Sequence, residues 1–262
     1  MKFSIIIPTK NSEAYLPISI ESILIQKHQD FEILICDSSS NDKTLEIINK
    51  FASIDRRIKI VSYEDNGVPD ALNKAIKYCD GEIVTWLNSD DYYYDENSLK
   101  VVCKEFKSQN NQKKINFVIG DFINISLKGK IINYFISFIP KKKIKKFFFY
   151  NQIFTGSLFF KKETLNNFKF NTKFKYAFEY QLVIYLLKNY LGVHINKFLT
   201  YFTIRENQLS ANKKILQKEF NEIIKDNNLI YTNFFFLRLL SYVNQGSLIR
   251  FLKYKFLINE KK

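Results

Sequence analysis

Four runs of apolar, largely β-branched residues recur through the first hundred positions, Phe3 to Pro8, Phe31 to Asp37, Ile58 to Glu64 and Glu82 to Asn88. Between them lie stretches with apolar residues at helical spacing, Leu16 to Gln26, Asp42 to Ile54 and Pro69 to Cys79. No other feature constrains the fold as strongly. A strand that reads as a continuous apolar run is buried on both faces, and two parallel strands joined through a helix close in one hand only. The pattern therefore predicts right-handed βαβ units, and with them an α/β fold whose mostly parallel sheet is flanked by helices. Asp42 is expected to cap the second helix, and Pro69 to sit in the first turn of the third.

Polar residues stand where each strand ends: Thr9 and Asn11, Asp37 to Ser40, Glu64 to Asn66, and Asn88 to Asp91. In an open α/β sheet the carboxyl ends of the strands converge on one crevice, and ligands bind there. Turns ask for the same residue types at any one of these places, but four in register point to a site. The strongest signal is Trp86-Leu87-Asn88-Ser89-Asp90-Asp91, a buried strand that delivers adjacent carboxylates into the crevice. Like charges side by side repel, so a cation is expected among them. A hard divalent ion, Mg2+ or Mn2+, held by one or two carboxylates and by substrate phosphates, meets that need. A solvated Asp-rich turn is the other reading of the same residues. After the second strand, Asp37-Ser38-Ser39-Ser40-Asn41-Asp42 offers short polar side chains and helix-terminal N–H groups to a base, ribose or phosphate. Neither GxGxxG nor GxxxxGK[ST] occurs, so a dinucleotide fingerprint and a P-loop are both excluded.

Other chemistries find little support. Cys36, Cys79 and Cys103 form no CxxC pair and leave one thiol over in any disulfide scheme, which favours a reducing compartment. With only His28 and His194 beside them, a zinc site of the usual spacing is not expected. The apolar run at the N-terminus is short for a signal peptide, and no uninterrupted apolar stretch reaches the ~18 residues of a membrane helix. A cytoplasmic protein, at most touching the inner face of the cell membrane, is the expectation.

Beyond residue 100 a helix is expected over Ser98 to Ser108 and a strand over Asn116 to Ile119. A hairpin-like stretch around Leu127 to Ile132 turns at Lys128-Gly129. Further helices are expected over Tyr176 to Lys188 and Lys213 to Asn227, with Val193 to Phe202 extended and a helical segment over residues 233–258.

The order and spacing of SIIIPTKN (4–11), FEILICDSSSNDKT (31–44), DNGVPDALNKAI (65–76) and GEIVTWLNSDD (81–91) resemble family 2 glycosyltransferases, inverting enzymes with the GT-A fold. The resemblance is firm over about the first 90 residues and looser over 150 to 210. It implies a GT-A domain over 1–210, with a nucleotide-sugar half over about 1–100 and an acceptor half over about 101–210, followed by a helical extension over 211–262. It also implies roles. Pro8, Thr9 and Asn11 would line the nucleotide pocket, Asp37 would bond the base and Ser39 would lie against the ribose. Asp70 and Asn73 would face the donor. Asn88-Ser89-Asp90 occupies the family's Asp-x-Asp position, so Asp90 would contact the metal, Asn88 would bond ribose or a metal-bound water, and Asp91 would support them. Thr155 to Phe160 resembles the acceptor-side strand, and Ala177 to Leu182 the helix start that bears the catalytic base, here Glu179. Arg205 stands in a segment where many relatives place a metal-binding His; it cannot ligate a metal but can neutralise a diphosphate. A UDP-sugar donor and a glycan or lipid-linked acceptor, in surface-polysaccharide or lipid-linked oligosaccharide synthesis, follow as expectations. A non-catalytic sugar-nucleotide-binding or scaffold member of the fold, and a nucleotidyltransferase, are the competing readings.

Charge decides between partners only once it is divided. The 40 basic and 26 acidic residues sum to +14, which taken alone suggests nucleic acid. Residues 1–100 hold 11 basic and 17 acidic side chains, net −6, whereas residues 101–262 hold 29 and 9, net +20. No helix-turn-helix, zinc-finger or RNP-type pattern accompanies the excess, so nucleic acid is not expected. Instead, Lys141 to Lys146 running into Phe147 to Tyr150, and the mixed aromatic and basic segment 233–258, suit contact with an anionic membrane surface. A C-terminal helix packed on the core with solvated lysines is the alternative.

Overall fold

The computed structural model describes residues 1–62, 65–108, 114–139, 147–148, 153–205, 208 and 212–231. Strands β1 (Phe3–Thr9), β2 (Phe31–Asp37), β3 (Ile58–Ser62) and β4 (Ile83–Trp86) run parallel in the order β3-β2-β1-β4. Every residue of β1 is buried. Because successive side chains alternate between faces, Phe3, Ile5 and Ile7 enter one apolar layer with α1 (Leu16–Leu24), α2 (Thr44–Ile54) and α4 (Ser98–Lys107). Ile6 enters the other, with α3 (Val68–Ala75), α5 (Glu179–Asn189) and α6 (Lys213–Asp226). Burying each such side chain contributes about 1.5–3 kcal/mol, which is why β1 lies inside the sheet between β2 and β4 with both faces covered.

The second half closes the sheet differently. β9 (Leu158–Lys161) is inserted between β4 and β6 (Phe117–Ser126), antiparallel to both, and β10 (Gly192–Ile204) runs parallel to β6 with register shifts at His194/Phe198 and Phe198/Thr200. β5 (Tyr92–Tyr93) pairs antiparallel with β10, and β7 (Ile131–Phe135) with β6. The hairpin between β6 and β7 turns where expected, with Gly129 at φ 73°. The two-residue strands β8 (Phe147–Phe148) and β11 (Ile230–Tyr231) pair with each other. The sheet is thus mixed and mostly parallel, flanked by helices on both faces.

One sequence expectation needs correction. Asp42 is not the N-cap of α2, which begins at Thr44 with Lys43 at the cap position; Asp42 Oδ1 instead accepts the Thr44 N–H at 2.9 Å from one residue further out. Within the span expected as a helical extension, Leu216, Phe220, Ile223 and Ile224 of α6 belong to the same apolar layer as α5. The basic run 141–146 and the segment 233–258 lie outside the described residues. Among the described residues no helix is long and apolar enough to cross a membrane.

At the amino end of the sheet a single carboxylate ties three strands to the loop after α3. Glu32, 1% exposed, accepts from the Ser4 hydroxyl at 2.6 Å, the Asp80 N–H at 2.6 Å and Lys59 Nζ at 2.9 Å, with Lys2 at 3.4 Å. Burial pushes its pKa up, but these bonds and charges overcome that and hold it at about 2. A pKa depressed in the folded state stabilises above the unfolded value and is lost as pH falls through the folded one. Glu32→Gln should therefore lower the unfolding free energy at pH 7 by about 2–3 kcal/mol. In urea denaturation the gap between wild type and variant should shrink as pH falls from 4.5 toward about 2.

Candidate active site

The carboxyl ends of β1, β2, β3 and β4 open on a cavity of about 1190 Å³ whose opposite wall comes from the β6–β7 hairpin, the start of α5 and the end of β10. Hydrogen bonds between loops build the first wall. Asn11, at φ 48°, accepts the Asn41 N–H at 3.0 Å and donates its own N–H to Ser40 Oγ at 2.8 Å. The Ser12 N–H donates to Thr44 Oγ1 at 2.7 Å, and the Ser12 and Ser89 hydroxyls meet at 2.8 Å. Three strand-end loops are thereby locked together. Pro8, Thr9, Asn11, Asn88, Ser89 and Asp90, all singled out from sequence, line this wall. Thr9 Oγ1 is buried there with no hydrogen-bond partner among the described residues, an unmet group of the kind a ligand satisfies.

Asp37, Ser39, Asp70 and Asn73 do not line the cavity. Asp37 is buried and receives the Ser40 N–H at 2.9 Å and the Ser40 hydroxyl, so it shapes its own loop; Ser39, at φ 51°, is exposed in that loop. In their place Ser38 and Asp65 reach the cavity, with Ser38 Oγ donating to Asp65 Oδ1 at 3.1 Å. Asp65 also accepts the N–H of Gly67, whose φ of 104° favours glycine. Asp70 pairs with Lys74 at 3.0 Å, which holds its pKa down, and Asn73 exchanges two 2.9 Å bonds with the backbone of Phe170, stapling α3 to a segment 97 residues away. Which residue of a turn faces the cavity is set by backbone angles such as those of Ser39 and Gly67.

Asp91 is fully buried. Its Oδ1 accepts the Thr203 N–H at 2.9 Å and its Oδ2 accepts Asn88 Nδ2 at 2.8 Å. Burial, reinforced by the charge of Asp90, raises its pKa well above the usual range. Asp90 Oδ2 accepts Arg205 Nε at 2.6 Å, and the guanidinium carbon lies 5.0 Å from the ring centre of Tyr15. A divalent ion needs several oxygens around it. Among the described residues no three Asp, Glu, His or Cys side chains converge; Asp91 is turned to Asn88 and Thr203, and Asp90 is engaged by Arg205. The described side chains by themselves make no metal-ligand cluster, and the carboxylate expected to hold the ion is already paired with a cation.

On the opposite wall Glu179, the first residue of α5, accepts the Thr155 hydroxyl at 2.6 Å through Oε1. Burial raises its pKa, and the Thr155 hydroxyl and the Trp86 indole N–H offset this only in part. The turn before α5 is fixed by a residue that sequence did not single out: the Glu219 carboxylate on α6 accepts the N–H groups of Lys175, Tyr176 and Ala177 at 3.1, 2.8 and 2.9 Å. Beside Glu179 the wall is aromatic. Phe122 stacks on Phe135 at 4.6 Å, and Phe154 lies 4.9 Å from both Phe122 and Phe202. A cavity with a polar, loop-built wall and an aromatic wall bearing one carboxyl of raised pKa can bind a polar ligand against an apolar-bearing one and move a proton between them.

Residues 4–167 match the family described as Glycosyl transferase family 2. The chain is 32% identical over 222 residues to an uncharacterized glycosyltransferase of Methanocaldococcus jannaschii, covering 80% of this chain and 74% of that protein. It is 41% identical over 98 residues to a PGL/p-HBAD biosynthesis glycosyltransferase of Mycobacterium bovis, a match that spans 37% of this chain and only 38% of its relative. Among solved structures, S. aureus TarS in complex with UDP-GlcNAc superposes with a TM-score of 0.66 at 21% identity, over 98% of this chain and 73% of that one. The mannosyltransferase PcManGT from Pyrobaculum calidifontis, in complex with GDP-Man and Mn2+, gives 0.64 at 18% identity, over 96% and 73%. These two likenesses show the fold.

The double bond of Asp91 yields a direct test. Asp91→Ala leaves the Thr203 N–H and the Asn88 amide unpaired in a buried place and should cost about 2–3 kcal/mol of unfolding free energy in urea titrations. Asp91→Asn, which keeps an acceptor for Thr203 and carries no charge to bury, should cost less than about 1 kcal/mol.

Proposed function

The chain belongs to glycosyl transferase family 2, and from this we propose that it moves a sugar from a nucleoside-diphosphate sugar to an acceptor hydroxyl with inversion. The observation that carries the reading is Glu179: a carboxyl of raised pKa, oriented by Thr155, on the wall of the same cavity that holds the Asp90–Arg205 pair. Glu179 takes the acceptor hydroxyl's proton as that oxygen attacks the anomeric carbon. The bond from that carbon to the diphosphate breaks on the far side, its electron pair leaving with the nucleoside diphosphate, and one displacement inverts the centre. The loop-built wall, with Thr9, Asn11, Ser38, Asp65 and Ser89, is the donor side. UDP-sugars are the first donors to test, in keeping with the UDP-GlcNAc bound by TarS.

The aromatic wall of Phe122, Phe135, Phe154 and Phe202 suits an acceptor that carries apolar surface beside its reacting hydroxyl. A lipid-linked oligosaccharide in surface-glycan synthesis fits, and would place the reaction at the inner face of the cell membrane. The divalent ion expected from the resemblance, and present in the mannosyltransferase complex, lacks a ligand set among the described residues here.

Glu179→Gln should lower transfer by about 10²–10⁴-fold while UDP-sugar binding, read by thermal shift, stays unchanged. Equal inertness of wild type and variant with binding intact would make the chain a non-catalytic donor binder, and release of pyrophosphate would make it a nucleotidyltransferase. A base works only when ionised, so kcat/KM should rise with pH through a limb displaced above 4.5, the direction in which burial moves Glu179. Thr155→Val removes a bond that lowers this pKa, and should shift the limb to still higher pH.

A further inference from the structure

Resting on the nucleoside-diphosphate donor proposed above, we propose that Arg205, and not a divalent ion, is the cation that receives the donor's diphosphate, with Asp90 its anchor and not a metal ligand. Arg205 Nε donates to Asp90 Oδ2 at 2.6 Å, with the two side chains 28% and 10% exposed, so the carboxylate on the donor wall already has its cation. Arg205 takes Oδ2, so a dication seated on Asp90 through the other oxygen would stand beside a like charge. The guanidinium is also held by the Tyr15 ring at 5.0 Å, and the Arg205 N–H by Gln208 Oε1 at 3.1 Å. Fixed through Nε, it keeps two terminal amino groups with no partner among the described residues, and its planar fork matches a pair of phosphate oxygens.

The charge around the cavity agrees. Lys10, Lys175, Lys213 and Arg205 stand on its wall, four cations, against the three carboxylates of Asp65, Asp90 and Glu179. A wall with more side-chain cations than carboxylates attracts a diphosphate directly. As the glycosidic bond to the diphosphate breaks, the negative charge gathers on the leaving oxygens, where a cation fixed beforehand stabilises it without reorganising.

Titration calorimetry on the full chain with UDP, or with GDP where UDP does not bind, in EDTA and then in Mn2+, tests this. Mn2+ is expected to change Kd by less than about tenfold, and Arg205→Ala to weaken UDP by about tenfold or more while leaving uridine binding unchanged. Where Arg205→Ala does not fold, Arg205→Gln gives the same readout with length and polarity kept. Tightening of UDP by Mn2+ of about tenfold or more, or a variant that binds UDP within about tenfold of wild type, overturns the inference. Binding of neither nucleotide in either buffer overturns the donor reading itself, and this inference with it.

Discussion

One buried carboxylate joins the two halves of this protein at the point where chemistry is to happen. Asp91 bonds Asn88 in the loop after β4 and the Thr203 backbone on β10, positions 112 residues apart in the latter case. Hydrogen bonds to both oxygens and a raised pKa are what make a wholly buried Asp tolerable. The tie sets the geometry around it. One residue before it stands Asp90, two residues after Thr203 stands Arg205, and the ion pair between them is a consequence of the register that Asp91 imposes. The antiparallel pairing of Tyr92 with Tyr201 and Tyr93 with Thr200 extends the same alignment into the sheet.

The opposite wall depends on a comparable device. β9 lies antiparallel between β4 and β6, which brings Thr155, just before it, across from the strand that ends at Trp86. Glu219 on α6 then gathers three backbone N–H groups and sets the entry of α5, so Glu179 is held by a helix forty residues further along the chain as well as by its own. A polar loop-built wall, an aromatic wall and the carboxyl of Glu179 are three separate packing outcomes that meet in one cavity. The divided charge of the chain follows the same line: the strand-end loops of the polar wall come from the acidic hundred residues, while Arg205, Lys175 and Lys213 are delivered from the basic remainder.

Much of this was legible in the sequence. The apolar runs and helical spacing of residues 1–100 place β1 to β4 and α1 to α3 within a few residues, since a strand buried on both faces has few other ways to be written. The later strands were less legible. β5 has two residues and no periodicity to show, and β10 runs beyond its expected span because Gly192 and the residues after Phe202 extend a pairing with β6 that only the partner strand makes visible.

Legible without any fold were the α/β plan and the crevice at the strand ends with Asp90 in it, because local periodicity and strand-end chemistry are short-range properties; Glu179 and Arg205 were candidates only through the family resemblance. Tertiary structure alone decided which of the candidates face the crevice. It bonded Asp37 to Ser40 in its own loop and Asn73 to the Phe170 backbone, chose Ser38 and Asp65 out of stretches the pattern had marked, and gave Glu219 a role no pattern marked. It also set Arg205 on Asp90, across 115 residues of chain, which no spacing rule can foresee. The physical reason is that a hydrogen bond or ion pair is specified by two backbones in register, and a linear pattern carries only one of them.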